Sequence, residues 1–290
     1  MALEIVPTRS EHIPTLAGIA FVAFQQISEE HGFPPDFSNP DVATMALQMF
    51  ATRPDIRGIT AILDGRVVGS NFAQLSDAVA GIGPITVDPK CQAQGIGRVL
   101  MRTIVEWCKA NHGPQIRLLQ DTFNMRSLSL YTSLGFTVQE PIVLMAVPPA
   151  ETADPTVRPI APADLDACAA LIEKQYKVSR RNELAVWLQY GSAAGIVPHL
   201  RTRDGRLVAV VAPGFLGFSV AETPEDLLAT MAHTARIVPP PSQRLLIPVR
   251  HGELFRGALL RGWRSIKLLS LMSIGPYETP SGAWAPSIAY

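Results

Sequence analysis

Hydrophobic positions along the first half of the chain alternate between short apolar runs and longer segments with helical spacing. Asp64-Gly65 separates two apolar runs and predicts a two-residue hairpin turn. Thr8 and Glu11 fit a capping box before the first helical segment. The pattern predicts strands at 2–6, 59–63, 66–70, 78–87, 116–120 and 136–145, and helices at 13–24, 97–110 and 126–134.

Residues 147–155 contain three prolines and no periodic apolar pattern, which is typical of a linker. We therefore expect a first domain at 1–148, a linker at 149–156 and a second domain at 157–290. The second half repeats the first weakly, with a second Asp-Gly turn at Asp204-Gly205 and with Gly262-Trp263 in the position of Gly135-Phe136.

Composition narrows the function classes. The 290 residues carry 25 basic and 25 acidic side chains, so the chain has no basic excess for binding nucleic acid. Three cysteines without paired spacing argue against a disulfide framework and a structural zinc site. The sequence has no signal-peptide pattern and no apolar run long enough for a membrane span, so we expect a soluble cytoplasmic protein without a membrane partner.

A glycine-containing loop lies between the strand predicted at 78–87 and the helix predicted at 97–110. Gly95 and Gly97 let the backbone approach a ligand, and the free N–H groups of the first helical turn favour an anion such as a diphosphate. A dinucleotide-binding fingerprint is excluded because position 100 is Leu, and a P-loop is excluded because Arg98 follows Gly97.

The strand before this loop contains an unusual proline. Pro84 follows Gly83 within an apolar run that should lie inside a sheet. Because proline has no N–H to donate to a neighbouring strand, we expect a bulge or a local separation of strands at this point.

Together these motifs resemble the GNAT acetyltransferase superfamily over residues 2–148. Its Gln/Arg-x-x-Gly-x-Gly/Ala signature is matched by Gln92, Gly95 and Gly97, after the Val-x-Pro lead-in of Val87 and Pro89. A second motif follows about 30 residues later with Asn124, Tyr131 and Gly135-Phe136. Ala93 departs from the family, which often has Gly there.

The resemblance implies two GNAT-like α/β domains, each a mixed, mostly antiparallel twisted sheet flanked by helices. It implies an N-acetyltransferase in which a primary amine attacks acetyl-CoA directly through a tetrahedral intermediate, without a metal. Tyr131 would protonate the departing thiolate, and the backbone of Ile85 and Val87 would pair with the pantetheine arm. The cofactor-binding residues implied are Ile85, Val87, Gln92, Ala93, Gln94, Gly95, Ile96, Gly97, Arg98, Asn124 and Tyr131.

Other interpretations of the same residues stay open at this point. Tyr131 lies at helical spacing and suits a core, Asn124 suits a helix N-cap, and Arg98 suits a solvated surface. The general base is not identified, because Asp77, Asp88 and Asp121 each also suit a turn or a cap. Carboxylates and aromatic residues at 29–37 suggest an amine pocket, and a solvated proline turn explains them equally well.

The second half lacks the chemical motifs. Residues 220–227 contain no glycine and place three carboxylates near a helix start, where they would repel a diphosphate, and Ala258 replaces the tyrosine. This half is expected to complete the acceptor pocket or a homodimer surface. The main alternative function is a non-catalytic acyl-CoA-binding or regulatory module, and a partner protein without cofactor is a second. The acceptor, a small-molecule or peptide amine, stays open.

Overall fold

The computed structural model describes residues 2–290 and has the alternating α/β architecture expected from the sequence. Residues 2–148 form seven strands and four helices. The strands are β1 Leu3–Pro7, β2 Ile56–Leu63, β3 Arg66–Gln74, β4 Ala80–Ile82, β5 Thr86–Val87, β6 Ile116–Asp121 and β7 Thr137–Ala146. The helices are α1 Ile13–Glu30, α2 Pro40–Thr52, α3 Ile96–Asn111 and α4 Met125–Ser133.

Residues 157–290 repeat this order of elements with one strand in place of β4 and β5, and they add a strand at the end. The strands are β8 Val157–Pro159, β9 His199–Arg203, β10 Arg206–Val211, β11 Ser219–Ala221, β12 Arg244–Pro248, β13 Arg264–Ile274 and β14 Ala283–Ala285. The helices are α5 Leu165–Tyr176, α6 Arg181–Tyr190, α7 Pro224–Thr234 and α8 Gly252–Leu260.

The strands form one large and one small sheet. The large sheet has the order β1-β2-β3-β4-β6-β13-β7-β12, with β5 also paired to β3. The small sheet has the order β14-β11-β10-β9-β8. All pairs are antiparallel except β4 with β6, which pair in parallel over Ala80 and Gly81 only.

The two halves exchange strands within the large sheet. β13 pairs with both β6 and β7, and β7 pairs in turn with β12. β13 of the second half therefore lies between β6 and β7 of the first half. In the same way, β7 of the first half lies between β13 and β12 of the second half. Leu269 and Leu271 of β13 are almost completely buried, and burial of each leucine contributes about 2 kcal/mol. The predicted boundary at 149–156 stays a prediction, and the sheet joins strands from both sides of it.

Local sequence rules account for the main elements. Asp64 and Gly65 both have positive φ, and so do Asp204 and Gly205, as a type I′ hairpin turn requires. Helix α3 buries one face, as its spacing predicts, through Leu100, Met101, Ile104, Val105 and Cys108.

Three local expectations differ from the structure. The capping box of Thr8 and Glu11 is wrong: the Thr8 hydroxyl contacts that of Thr60, and the Arg9 N–H donates to His12 Nδ1. Helix α2 was not predicted, although Asn39 caps it by accepting from Val42 N at 3.1 Å. The strand predicted at 78–87 is interrupted, because three residues at 83–85 lie opposite two on β3. This bulge contains Pro84, as expected.

Asp77 ties the two halves together at the start of α6. Its two carboxylate oxygens accept from Asn182 N at 3.1 Å and Glu183 N at 3.0 Å. These amides belong to the first turn of the helix, where a carboxylate also complements the helix dipole.

Replacing this cap is expected to weaken the fold. Asp77→Ala should lower the free energy of unfolding by about 1–2 kcal/mol, because two amides lose a charged acceptor. Glu173→Ala, at an exposed position on α5, should change it by less than about 0.5 kcal/mol. Urea titration followed by circular dichroism measures both, and equal values for the two variants would contradict the capping role.

Candidate active site

The loop between β5 and α3 has a strained and open backbone. Asp88 caps its first turn by accepting from Lys90 N at 3.0 Å, so this candidate base is a structural cap. Ala93 and Gly95 both have positive φ, at 62° and 83°. Glycine suits Gly95 because a side chain there would be strained whatever the space. Ala93, where the GNAT family often has glycine, therefore lies at a position whose backbone conformation would be less strained with glycine.

A run of backbone amides in this loop is free to bind a ligand. Among residues 2–290, the N–H groups of Ala93 through Arg98 have no protein acceptor, and Val99 N makes the first bond of the helix, to Gly95 O at 3.1 Å. The first turn of α3 contains no acidic residue. Arg98 is exposed and adds a positive charge at the same end. Free amides, a helix dipole and an arginine together suit a diphosphate.

Gly97 leaves room for close approach to the loop. A Cβ added there would meet only Leu130 and Val87, both at 3.8 Å, which is ordinary contact. The side chain of Ile96 is buried, so only its backbone faces outward. Gln92 and Gln94 are exposed, and Gln92 Nε2 donates to Val87 O at 3.3 Å.

The interrupted strand opens a cleft beside this loop. β4 and β6 pair over two residues and then separate, and Gly83, Pro84 and Ile85 line the cavity between them. Within the described chain, the backbone N–H and C=O of Ile85 have no protein partner. The Val87 carbonyl already accepts from Gln92. An extended ligand can therefore pair with Ile85 more freely than with Val87.

The cavity has a volume of about 420 Å³ and draws its lining from both halves of the chain. From the first half come apolar residues of α1 and α2, the bulge and the end of β6. From the second half come residues such as Ile196, Phe215, Leu216 and Ile288. This size suits a small organic molecule.

Tyr131 lines the cavity from α4 and is 6% exposed. Its ring packs edge-on against Phe136 with centroids 6.1 Å apart, so its core role and its access to the cavity coexist. Burial raises the pKa of Tyr131 to about 12, against a lowering by the Ser127 hydroxyl. The phenol therefore keeps its proton near neutral pH and can act as a donor.

Asn124 combines both of the roles considered from the sequence. Its side chain caps α4 by accepting from Ser127 N at 3.1 Å, and it also lines the cavity. This hydrogen bond fixes the Asn124 side chain at the start of α4. Its contact with a cofactor stays a prediction.

Of the three candidate bases, Asp121 is the one that lines the cavity. Burial raises the pKa of Asp121, the ammonium of Lys267 lowers it and the carboxylate of Asp36 raises it. Lys267 Nζ lies 2.8 Å from Asp121 Oδ1 and 2.7 Å from Asp36 Oδ1. The result is a buried triad of two carboxylates and one ammonium.

Sequence reasoning missed Lys267. Its side chain is 1% exposed and it comes from β13, which reaches this site only through the exchange of strands. The one available signal was a lysine within the apolar run 266–272, because lysine is rarely buried without a partner.

The segment at 29–37 is only partly at the site. Pro35, Asp36 and Phe37 line the cavity. Glu29 and Glu30 are exposed and accept from glutamines one helical turn earlier, so they form part of a solvated face. Asp36 is therefore the carboxylate of this segment that lines the cavity.

The equivalent region of the second half is closed. Thr223 and Asp226 cap the first turn of α7 themselves, and Arg203 pairs with Asp226 at 2.8 Å. β14 pairs with β11 and contacts β12. It therefore fills the space between these two strands, whereas the equivalent space between β4 and β6 in the first half stays open. Ala258 is buried in the core of this half.

Residues 2–290 contain no group of three or more His, Cys, Asp or Glu side chains arranged to hold a metal ion. None of the helices described has the length and apolar character needed to cross a membrane.

Part of the sequence is similar to known proteins. The model of the Acetyltransferase (GNAT) family matches residues 23–136. A stretch of 87 residues is 33% identical to a mycothiol acetyltransferase of Thermomonospora curvata, and it covers 30% of this chain and 29% of that protein. The match thus spans less than a third of that relative's length.

Two solved structures share the fold over nearly the whole chain. A putative acetyltransferase from Pyrococcus horikoshii aligns over 97% of this chain and 92% of its own, with a TM-score of 0.76 and 16% identity. A GCN5-related N-acetyltransferase from Sphaerobacter thermophilus aligns over 97% and 98%, with a TM-score of 0.59 and 16% identity. At this identity the likeness concerns the fold alone.

The positive φ of Ala93 leads to a stability prediction. Ala93→Gly should raise the free energy of unfolding by about 0.5–1 kcal/mol, because an alanine side chain is strained in the left-handed region. Ala110→Gly, within α3 at an exposed position, should lower it by up to about 1 kcal/mol. Denaturant titration distinguishes the signs, and a destabilising Ala93→Gly would contradict the strained loop.

Proposed function

We propose that the first half of the chain is an N-acetyltransferase site for acetyl-CoA and a primary amine, and the match of the Acetyltransferase (GNAT) family model to residues 23–136 supports this. The observation that carries the proposal is the run of unpartnered amides at Ala93 through Arg98 beside an open cleft. Such amides at a helix start bind a diphosphate well.

The residues present fit acetyl-CoA along its length. The loop from Gln92 to Arg98 suits the diphosphate, and the free C=O of Ile85 suits an extended pantetheine arm. The cavity lined by Asn124 and Tyr131 suits the acetyl end. Acetyl-CoA supplies an acetyl thioester, whose carbonyl carbon a neutral amine attacks to give the acetylated amine and CoA.

Three groups of the chain would serve this direct transfer. The free N–H of Ile85 in the bulge is a donor for the developing oxyanion. Asp121 is a carboxylate within the cavity that can take the proton of the amine. Tyr131 holds its proton at neutral pH and can donate it to the departing thiolate.

The activity is tested with the full-length chain, acetyl-CoA and a panel of primary amines. The proposal predicts release of CoA thiol that depends on the amine, together with an N-acetylated product identified by mass spectrometry. Binding of acetyl-CoA without such release on any amine would instead favour a non-catalytic acyl-CoA-binding module.

Removal of the phenol is expected to slow turnover. Tyr131→Phe should lower kcat by about 100-fold, the usual size of general acid catalysis, and leave acetyl-CoA affinity within about threefold. The ring packing on Phe136 is retained. Tyr190→Phe, at an exposed tyrosine, is the matched control. An unchanged kcat for Tyr131→Phe would remove Tyr131 from the mechanism.

Charge at the loop is expected to control affinity. Gly97→Glu should weaken acetyl-CoA binding by about 100-fold or more, because a carboxylate would face the diphosphate. Gly97→Ala should weaken it by less than about tenfold, since its Cβ makes only ordinary contacts within the protein. Isothermal titration of both variants measures the difference. An unchanged affinity of Gly97→Glu for acetyl-CoA would contradict the proposal that the loop from Gln92 to Arg98 binds the diphosphate.

A further inference from the structure

Aromatic and aliphatic side chains make up most of the lining of the cavity. The first half contributes Phe24, Phe37 and Phe50, and the second half contributes Ile196, Phe215 and Leu216. A body with few hydroxyl groups suits such walls, because each buried hydroxyl needs a hydrogen-bond partner and most of the lining is apolar. The lining matches a compact apolar body.

The same cavity contains one charged corner. Asp36 and Asp121 flank Lys267, whose side chain is 1% exposed, at 2.7 and 2.8 Å. Two carboxylates and one ammonium leave a net charge of −1 in a poorly solvated place. A second ammonium group is the partner that balances this charge.

Several other polar side chains line the cavity, among them Gln120 and Arg244 as well as Ser38, Asn124, Ser127, Tyr131 and Ser242. Gln120 is 6% exposed, and both polar atoms of its amide lack a hydrogen-bond partner within the described chain. A buried amide without partners indicates that a bound molecule supplies them. Arg244 is half-buried and also lines the cavity, and the register places its Cα two strands and two residues from that of Lys267, or about 12 Å away.

We propose that the acceptor is a primary amine on a compact apolar body, with its ammonium held by Asp36 and Asp121 around Lys267 and its body against apolar residues of both halves. This inference rests on the proposed N-acetyltransferase function. The second half then selects the acceptor, although it carries no glycine loop of its own.

The first test compares two primary amines, one with an apolar body and one with a hydroxylated body. With the wild-type chain, 3-phenylpropylamine should have a kcat/KM at least about 100-fold above that of glucosamine, from burial of its apolar area. The uncharged 3-phenylpropanol should compete at least about tenfold more weakly than the amine binds, because it lacks the ammonium. Equal kcat/KM values, or a preference for glucosamine, would overturn the inference.

Matched variants locate the pocket. Ala46→Trp fills the cavity from α2 and should raise KM for 3-phenylpropylamine at least about tenfold, whereas Met45→Trp, 65% exposed on the same helix, should not. Asp36→Asn should raise this KM about tenfold, and Asp41→Asn, exposed in the first turn of α2, should not. Unchanged KM values for Ala46→Trp and Asp36→Asn would overturn the assignment.

Acetyl-CoA affinity distinguishes a failure of the acceptor inference from a failure of the proposed N-acetyltransferase function. It should stay within about threefold of wild type in all four variants, which also shows that they fold. If wild-type chain binds acetyl-CoA and acetylates other amines but not 3-phenylpropylamine, only the acceptor inference fails. If no amine is acetylated, the proposed function fails with it.

Discussion

The position of β13 between β6 and β7 is the constraint on which the rest of the structure depends. An eleven-residue strand from the second half completes the sheet of the first half, and β7 in turn separates β13 from β12. Neither half can therefore form its native sheet alone. The same exchange brings Lys267 to Asp121 and places apolar residues of the second half in the wall of the cavity.

The two halves use one fold in opposite ways at the equivalent helix start. In α3, the amides before Val99 are left free, no acid occupies the first turn, and the neighbouring strands separate. In α7, Thr223 and Asp226 satisfy the helix start from within, and β14 fills the slot beside β11. The first arrangement suits an anionic ligand with an extended arm, and the second suits a supporting role.

Much of this organisation follows from local sequence. Both Asp-Gly hairpins, the buried face of α3, the bulge at Pro84 and the glycine loop could all be predicted, because turn chemistry and periodicity act over a few residues. The exchange of strands could not, since β13 has the same apolar pattern whichever neighbours it pairs with. For that reason the sequence did not reveal Lys267. Nor does the sequence distinguish Asp77 from Asp121, whereas the fold makes Asp77 a helix cap and Asp121 a residue of the cavity lining.

We propose that one half of a duplicated fold binds acetyl-CoA and the other half does not. The most direct test is isothermal titration of acetyl-CoA into the full-length wild-type chain, with the stoichiometry as the deciding quantity. We expect one site per chain. Two sites per chain would contradict the closed second half, and the absence of binding would contradict the assignment of the loop from Gln92 to Arg98 as a diphosphate cradle.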